Sequence, residues 1–173
     1  MSDFYNQTVD FAAIPEYQQT QLTPLHSNYK KVVLCHYLLI FLFFGGAWAV
    51  SLYFNLLPIL VLLVGAACSV LLLIFLVVIN LKAINQRGFA FRAHDIISHS
   101  GFLLKSTAVV PNNRIQHISI NQGLFSRWFN LCELRIYTAS TNSSDIVIQG
   151  ILYKDALRYK AFILNQINAL AND

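Results

Sequence analysis

Fifty consecutive residues, Val32 to Leu81, contain no Asp, Glu, Lys or Arg and consist mostly of Leu, Val, Ile, Phe and Ala. The hydrocarbon core of a bilayer, about 30 Å thick, is crossed by about 20 apolar residues of helix. The stretch is therefore too long for one span and long enough for two. Near its middle, Tyr53-Phe54-Asn55-Leu56-Leu57-Pro58 combines interfacial aromatics with an Asn and a Pro that suits the first turn of a new helix. The pattern predicts helix one over about Val32 to Phe54 and helix two over about Leu57 to Leu81. A helix in a soluble core has no reason to be apolar on every face. Residues 30–84 are expected to form a transmembrane hairpin.

The flanks set its orientation. Lys30 and Lys31 precede helix one, Lys82 and Arg87 follow helix two, and the turn between the helices is uncharged. Positive residues stay on the cytoplasmic side, so both termini are expected there. A cleavable signal peptide has a short apolar run near the extreme N-terminus. Here some thirty residues come first, the run is longer and a second span follows. Composition agrees: 12% of residues are charged, against about 25% in an average soluble protein.

Residues 1–29 are polar, with Pro15 and Pro24, and read as a flexible cytoplasmic tail. Its aromatics Phe4, Tyr5, Phe11 and Tyr17 suit docking on the domain or a partner as well as a mobile tail. Within the hairpin, Gly45-x-x-x-Ala49 and Gly65-x-x-x-Ser69 are small-residue pairs at helical spacing, which let helices approach closely in lipid. The partner is either the other helix or another subunit. His36 has no intramembrane acidic residue to relay a proton to, and two spans lack the broken helices or repeats that line transport pathways.

Residues 85–173 change character and are long enough for one small domain. Short strands are expected at Phe89–Arg92, Ile96–His99, Phe102–Val110, Ile115–Ile120, Cys132–Thr138 and Asp145–Gln149, with turns at Pro111-Asn112-Asn113 and Asn142-Ser143-Ser144. Leu124 to Asn130 reads as a loop with a helical turn. Cys132, Leu134, Ile136 and Thr138 share one strand face, Arg135 and Tyr137 the other. From Tyr153 to Leu170 the apolar residues Ala156, Tyr159, Ile163, Ile167 and Leu170 fall on one face of a helix, with Asp155 in its first turn. Strands closed by one amphipathic helix make an α+β module.

Enzymatic chemistry finds little footing. His94, Asp95 and His99 are the only close group of catalytic residue types, and the two histidines point to opposite faces of a strand. No glycine-rich phosphate loop, G-x-S-x-G or acidic pair is present. Cys35, Cys68 and Cys132 are scattered and form no CxxC pair, so no metal site, cofactor or disulfide framework is indicated. The basic residues form no stripe of the kind that binds nucleic acid.

The run from Val110 to Leu131, with Pro111-Asn112-Asn113-Arg114-Ile115-Gln116, then Gln122-Gly123, then Arg127-Trp128 before a Leu-rich strand, resembles the signature of bacterial PH-like membrane proteins of the YdbS type. Arg87-Gly88 with Phe91 and Asp95 is similar to the family's entry after the membrane. Tyr137-Thr138-Ala139 and Gly150-Ile151-Leu152 fit downstream. Asn130 stands where the family commonly has Gly, a replacement that a left-handed turn tolerates. The resemblance spans about Leu22 to Leu170 and implies a bent antiparallel sheet or barrel closed by the C-terminal helix. It also implies a bacterial inner-membrane location and a non-enzymatic interaction module, assembling with itself or with a related membrane protein.

Arg114, Gln116, Arg127 and Trp128 are the candidate interface, since Arg and Trp dominate protein contact hot spots. The alternative is that Arg114 and Gln116 satisfy loop carbonyls. From Lys82 to Asp173, ten Lys or Arg face five Asp or Glu, and basic residues held near an anionic leaflet contribute about 1 kcal/mol each. Lys30, Lys31, Lys82, Arg87 and Arg92 are the candidates for that surface. A lipid-binding module for the anionic inner leaflet is thus the second functional expectation.

Overall fold

The computed structural model describes residues 21–102, 104–138 and 146–172, with side chains to residue 167. The expected docking aromatics of residues 1–20 and the turn at Asn142-Ser143-Ser144 lie outside the described residues, as does the Leu170 side chain.

Two antiparallel helices form the hairpin, α1 (Tyr29–Tyr53) and α2 (Ile59–Asn85). At 1.5 Å per residue they are about 37 and 40 Å long, and both are long and apolar enough to cross a membrane by length and composition. Asn55 turns the chain between them with φ 50°, and Pro58 directly precedes α2. Each helix runs past its expected polar-side limit, α1 starting at Tyr29 and α2 ending at Asn85. The backbone hydrogen-bond ladder continues wherever propensity permits, so hydrophobicity does not mark its end. Only Val32 in α1 and Leu62 and Ile84 in α2 are buried. This is unlike a soluble core helix, whose apolar stripe lies against protein.

The domain has two antiparallel sheets. The first has strand order β1 (Thr23–Pro24), β2 (Gly88–Phe91), β3 (Asp95–Ser100), β4 (Ser106–Pro111); the second is β5 (Ile115–Asn121), β6 (Leu131–Thr138), β7 (Ile146–Leu152). A short helix, α3 (Leu124–Trp128), joins β5 to β6, and α4 (Tyr153–Asn172) closes the domain. Phe89 and Ile96 from the first sheet meet Ile118, Leu134, Ile136 and Ile148 from the second in one core. Ala156 and Ile163 of α4 are fully enclosed by it, and Tyr159 and Ile167 pack at its margin. Each fully buried Leu or Ile contributes about 1.5–3 kcal/mol relative to exposure.

Two strand limits differ from expectation by more than one residue. β4 starts at Ser106, not Phe102, because Gly101 has φ +117° and the chain folds back so that a Cβ there would lie 1.6 Å from the Leu104 carbonyl oxygen. β7 runs through Gly150 to Leu152 instead of ending at Gln149. The end of the expected tail is also part of the fold. Thr23 and Pro24 pair with Phe89 and Gly88, and the His26 amide donates to the Gly150 carbonyl at 3.0 Å. Residues 23–26 thereby bridge β2 to β7 along the seam between the two sheets.

The β4–β5 corner is pinned from inside. Asn112, 1% exposed, receives the chain through its amide, which donates to the His94 carbonyl, and its Nδ2 donates to the Ala93 carbonyl at 3.0 Å. Asn130 takes the left-handed conformation, φ 53°, between α3 and β6.

Candidate membrane-facing interface

The domain-side ends of both apolar helices converge on β7. Tyr29, the first residue of α1, donates its hydroxyl to Gln149 Oε1 at 2.7 Å, and Arg87, just beyond α2, donates to the same oxygen at 3.1 Å. Gln149 Nε2 donates to Glu133 Oε2 at 3.1 Å, and Glu133 also pairs with Arg135. One amide side chain thus links two helix ends to two strands. Beside it, Gly150 has φ +69°, and an added Cβ would lie 2.7 Å from the Tyr29 ring. The helices and the domain are clamped together, which sets which face of the domain lies along the hairpin.

Along α1 that face is α3. The Phe125 ring meets His36 edge-on, with centroids 4.7 Å apart, and His36 Nδ1 lies 2.8 Å from the Val32 carbonyl oxygen. Seven residues separate His36 from the start of α1, about 10 Å along its axis. Leu124 and Trp128, one helical turn apart, remain 66% and 68% exposed. Arg127 between them is exposed and carries no ion pair among the described residues.

Along α2 the neighbouring part of the domain is the β3–β4 loop. Lys82 in the last turn of α2 places its ammonium 5.9 Å from the centre of the Phe102 ring. Leu104 at the loop tip is 87% exposed. Its position follows from Gly101, whose conformation L side chains rarely adopt.

A cleft of about 320 Å³ lies between α1 and the start of α3, lined by Tyr29, Val32, His36, Ser126, Cys132 and Glu133. Burial, with the Glu133 carboxylate adding to it, pushes the Cys132 thiol up to about 11, so it stays protonated and a poor nucleophile at neutral pH. Among the described residues no group of three or more His, Cys, Asp or Glu converges as metal ligands would.

The expected site residues separate into distinct places. Arg114 and Gln116 are exposed at the start of β5, while Arg127 and Trp128 follow its other end, about 20 Å away at strand rise. They do not form one patch. Gln122, read in the same motif, donates to the Leu131 carbonyl at 3.1 Å and holds the loop. Lys30, Lys31 and Lys82 sit at the domain-side helix ends. Arg87 is drawn into the clamp, and its Nε is buried without a partner. Arg92 closes the β2–β3 turn by pairing with Asp95, about 16 Å from Arg87 at strand rise.

The small residues of the hairpin also divide. Gly65 and Ser69 receive the Trp48 indole: a Cβ on Gly65 would lie 2.4 Å from Trp48 Cη2, and Trp48 Nε1 donates to Ser69 Oγ at 3.2 Å. Gly45 has open space where a Cβ would be, and Ala49 is exposed, so this pair is not used between α1 and α2.

Sequence reasoning missed Tyr29, Gln149, Gly150, Phe102, Leu104 and the role of Leu124. The strand expected from the sequence ends at Gln149, and Gly150 enters there only as part of the family motif. A glycine between the apolar Ile148 and Ile151 is the signal that could have found the clamp, since a glycine inside a strand marks a bulge or a close approach.

Among protein families, the model described as Bacterial PH domain matches residues 37–168. No curated protein matches. Among solved structures, a DUF1696-family protein with a pleckstrin-homology domain from Shewanella loihica PV-4 matches at 16% identity and a TM-score of 0.37. The match covers 47% of this chain and 70% of that one.

Proposed function

This chain belongs to the bacterial PH domain family, and from that premise we propose that it is a non-enzymatic, membrane-anchored interaction module. The hairpin crosses the bacterial cytoplasmic membrane, both termini are cytoplasmic, and the PH-like domain is held directly at the inner leaflet. The observation that carries this reading is the exposure of α1 and α2: their apolar residues lie almost wholly uncovered by the rest of the protein. Lipid is the solvent that stabilises such a surface. The charged residues at their ends, Lys30, Lys31 and Lys82, all fall on the domain side, as cytoplasmic residues do.

The module assembles with a second copy or with a related membrane protein. Gly45 and Ala49 support this, because they form a small-residue surface that the chain's own second helix leaves open. Purification of the full chain in mild detergent, with mass determination and proteomic identification of co-purifying proteins, tests it. The expected result is a homo-oligomer or a defined membrane-protein partner, lost in Gly45→Leu. A monomer free of partners would sink the assembly reading. A reporter fused after Asp173 that is active only outside the cell would sink the orientation.

A further inference from the structure

We propose that the domain touches the bilayer at two apolar points, the Leu124–Trp128 face of α3 and the tip of the β3–β4 loop at Leu104, and that both enter the headgroup region beside the hairpin. The proposal rests on the membrane reading of α1 and α2 given above and adds which residues of the domain the lipid contacts.

The depth argument is geometric. Phe125 packs on His36, which lies beyond Lys30 and Lys31 and inside the stretch that carries no Asp, Glu, Lys or Arg. A side chain held beside α1 at that level lies at or below the boundary where the basic residues end. Leu124 and Trp128 occupy one side of α3 at i and i+4, and both are about two-thirds exposed. Trp concentrates at membrane–water interfaces, where its ring is apolar and its N–H is wet. Arg127, exposed between them, suits lipid phosphates.

A second observation carries the same conclusion from the other helix. Phe102 stacks near the Lys82 ammonium at the end of α2, and Leu104, the most exposed large apolar residue described, projects from the same loop. The two points therefore flank the hairpin, one against α1 and one against α2. A single apolar point would leave the domain free to tilt about the helix ends; two points and the clamp at Gln149 fix its attitude to the membrane.

Fluorescence quenching in the full chain tests this. The protein has two tryptophans, so Trp48→Phe leaves Trp128 as the only reporter and Trp128→Phe leaves Trp48. Each is reconstituted in phosphatidylcholine–phosphatidylglycerol vesicles carrying bromines either near the carbonyl end or near the methyl end of the acyl chains. Trp128 is expected to lose emission with the shallow bromines more than the deep ones, and to resist aqueous iodide. Leu104→Trp in the doubly tryptophan-free background is expected to behave likewise. Loss of Trp128 emission to iodide, with Trp48 quenched by brominated lipid, overturns the proposal while the hairpin stands. Protection of Trp128 from both quenchers means a protein covers it, a second copy for instance, and also overturns it. If Trp48 too escapes every brominated lipid, the membrane reading itself fails.

Discussion

The hydroxyl of Tyr29, at the first position of α1, donates a 2.7 Å hydrogen bond to Gln149 in β7, 120 residues further along the chain. Through it the helical hairpin and the sheet act on each other directly, without a linker. Arg87 reaches the same oxygen from the end of α2, so movement of either helix end is felt at β7.

The tightest point of that junction is Gly150. An alanine there requires a left-handed backbone, which costs about 1–3 kcal/mol for a non-glycine residue, and its Cβ would press on the Tyr29 ring at 2.7 Å. Gly150→Ala is expected to lower the thermal unfolding temperature of the full chain in detergent. Adding Tyr29→Ala removes the ring but keeps the Tyr29 Cβ, which would lie 2.8 Å from the new one, and leaves the backbone strain, so no more than partial recovery is expected. An unchanged midpoint for Gly150→Ala would show that the contact is not tight.

Gly65→Val is expected to separate the two helices. The added side chain takes the volume of the Trp48 indole, overpacking that typically costs about 1–3 kcal/mol, and breaks the bond to Ser69. Trp48 emission in a Trp128→Phe background reports it directly. Trp48→Phe is expected to be milder, because Ser69 Oγ keeps its 2.8 Å bond to the Ala66 carbonyl.

In the domain core, Leu134 has no exposed surface. Leu134→Ala is expected to cost about 2–5 kcal/mol. Leu157, 46% exposed on the outer side of α4, provides the contrast, and Leu157→Ala is expected to stay within about 0.5 kcal/mol. Equal losses in denaturant titrations would mean that the outer face of α4 is covered.

Cys132 gives a pH dependence. Its thiol is raised from 9.0 to about 11, chiefly by burial. Below pH 9 both folded and unfolded states keep the proton, and nothing changes. As pH rises from about 9 through about 11 the unfolded thiol ionises first, so stability falls with pH across that window. Iodoacetamide labelling at pH 8, mapped by peptide mass, is expected to be slow at Cys132 until denaturant is added. Fast labelling of the folded chain would contradict its burial.

Much of the fold was legible because it rests on patterns with a local physical cause. Alternation in Cys132-Glu133-Leu134-Arg135-Ile136 places the apolar members inside, and the helical spacing of Ala156, Tyr159 and Ile163 places that stripe on the core. Asn130 is left-handed where a short polar side chain tolerates it. The site was less legible. Nothing local to Arg114 and Trp128 says that β5 holds them apart, and nothing local to Thr23 and Pro24 says that they complete a sheet. A two-residue strand has no period to read.

By itself, then, the order of residues determined the apolar hairpin, the strand faces and the amphipathic closing helix, because burial period and charge exclusion act over neighbouring positions. Only the tertiary structure decided that residues 23–26 pair with β2 and β7, that Gln149 joins both helix ends, and that Phe125 and Phe102 lie against His36 of α1 and Lys82 of α2. Those depend on contacts between positions far apart in the chain, where each partner is an ordinary residue until the fold supplies the other.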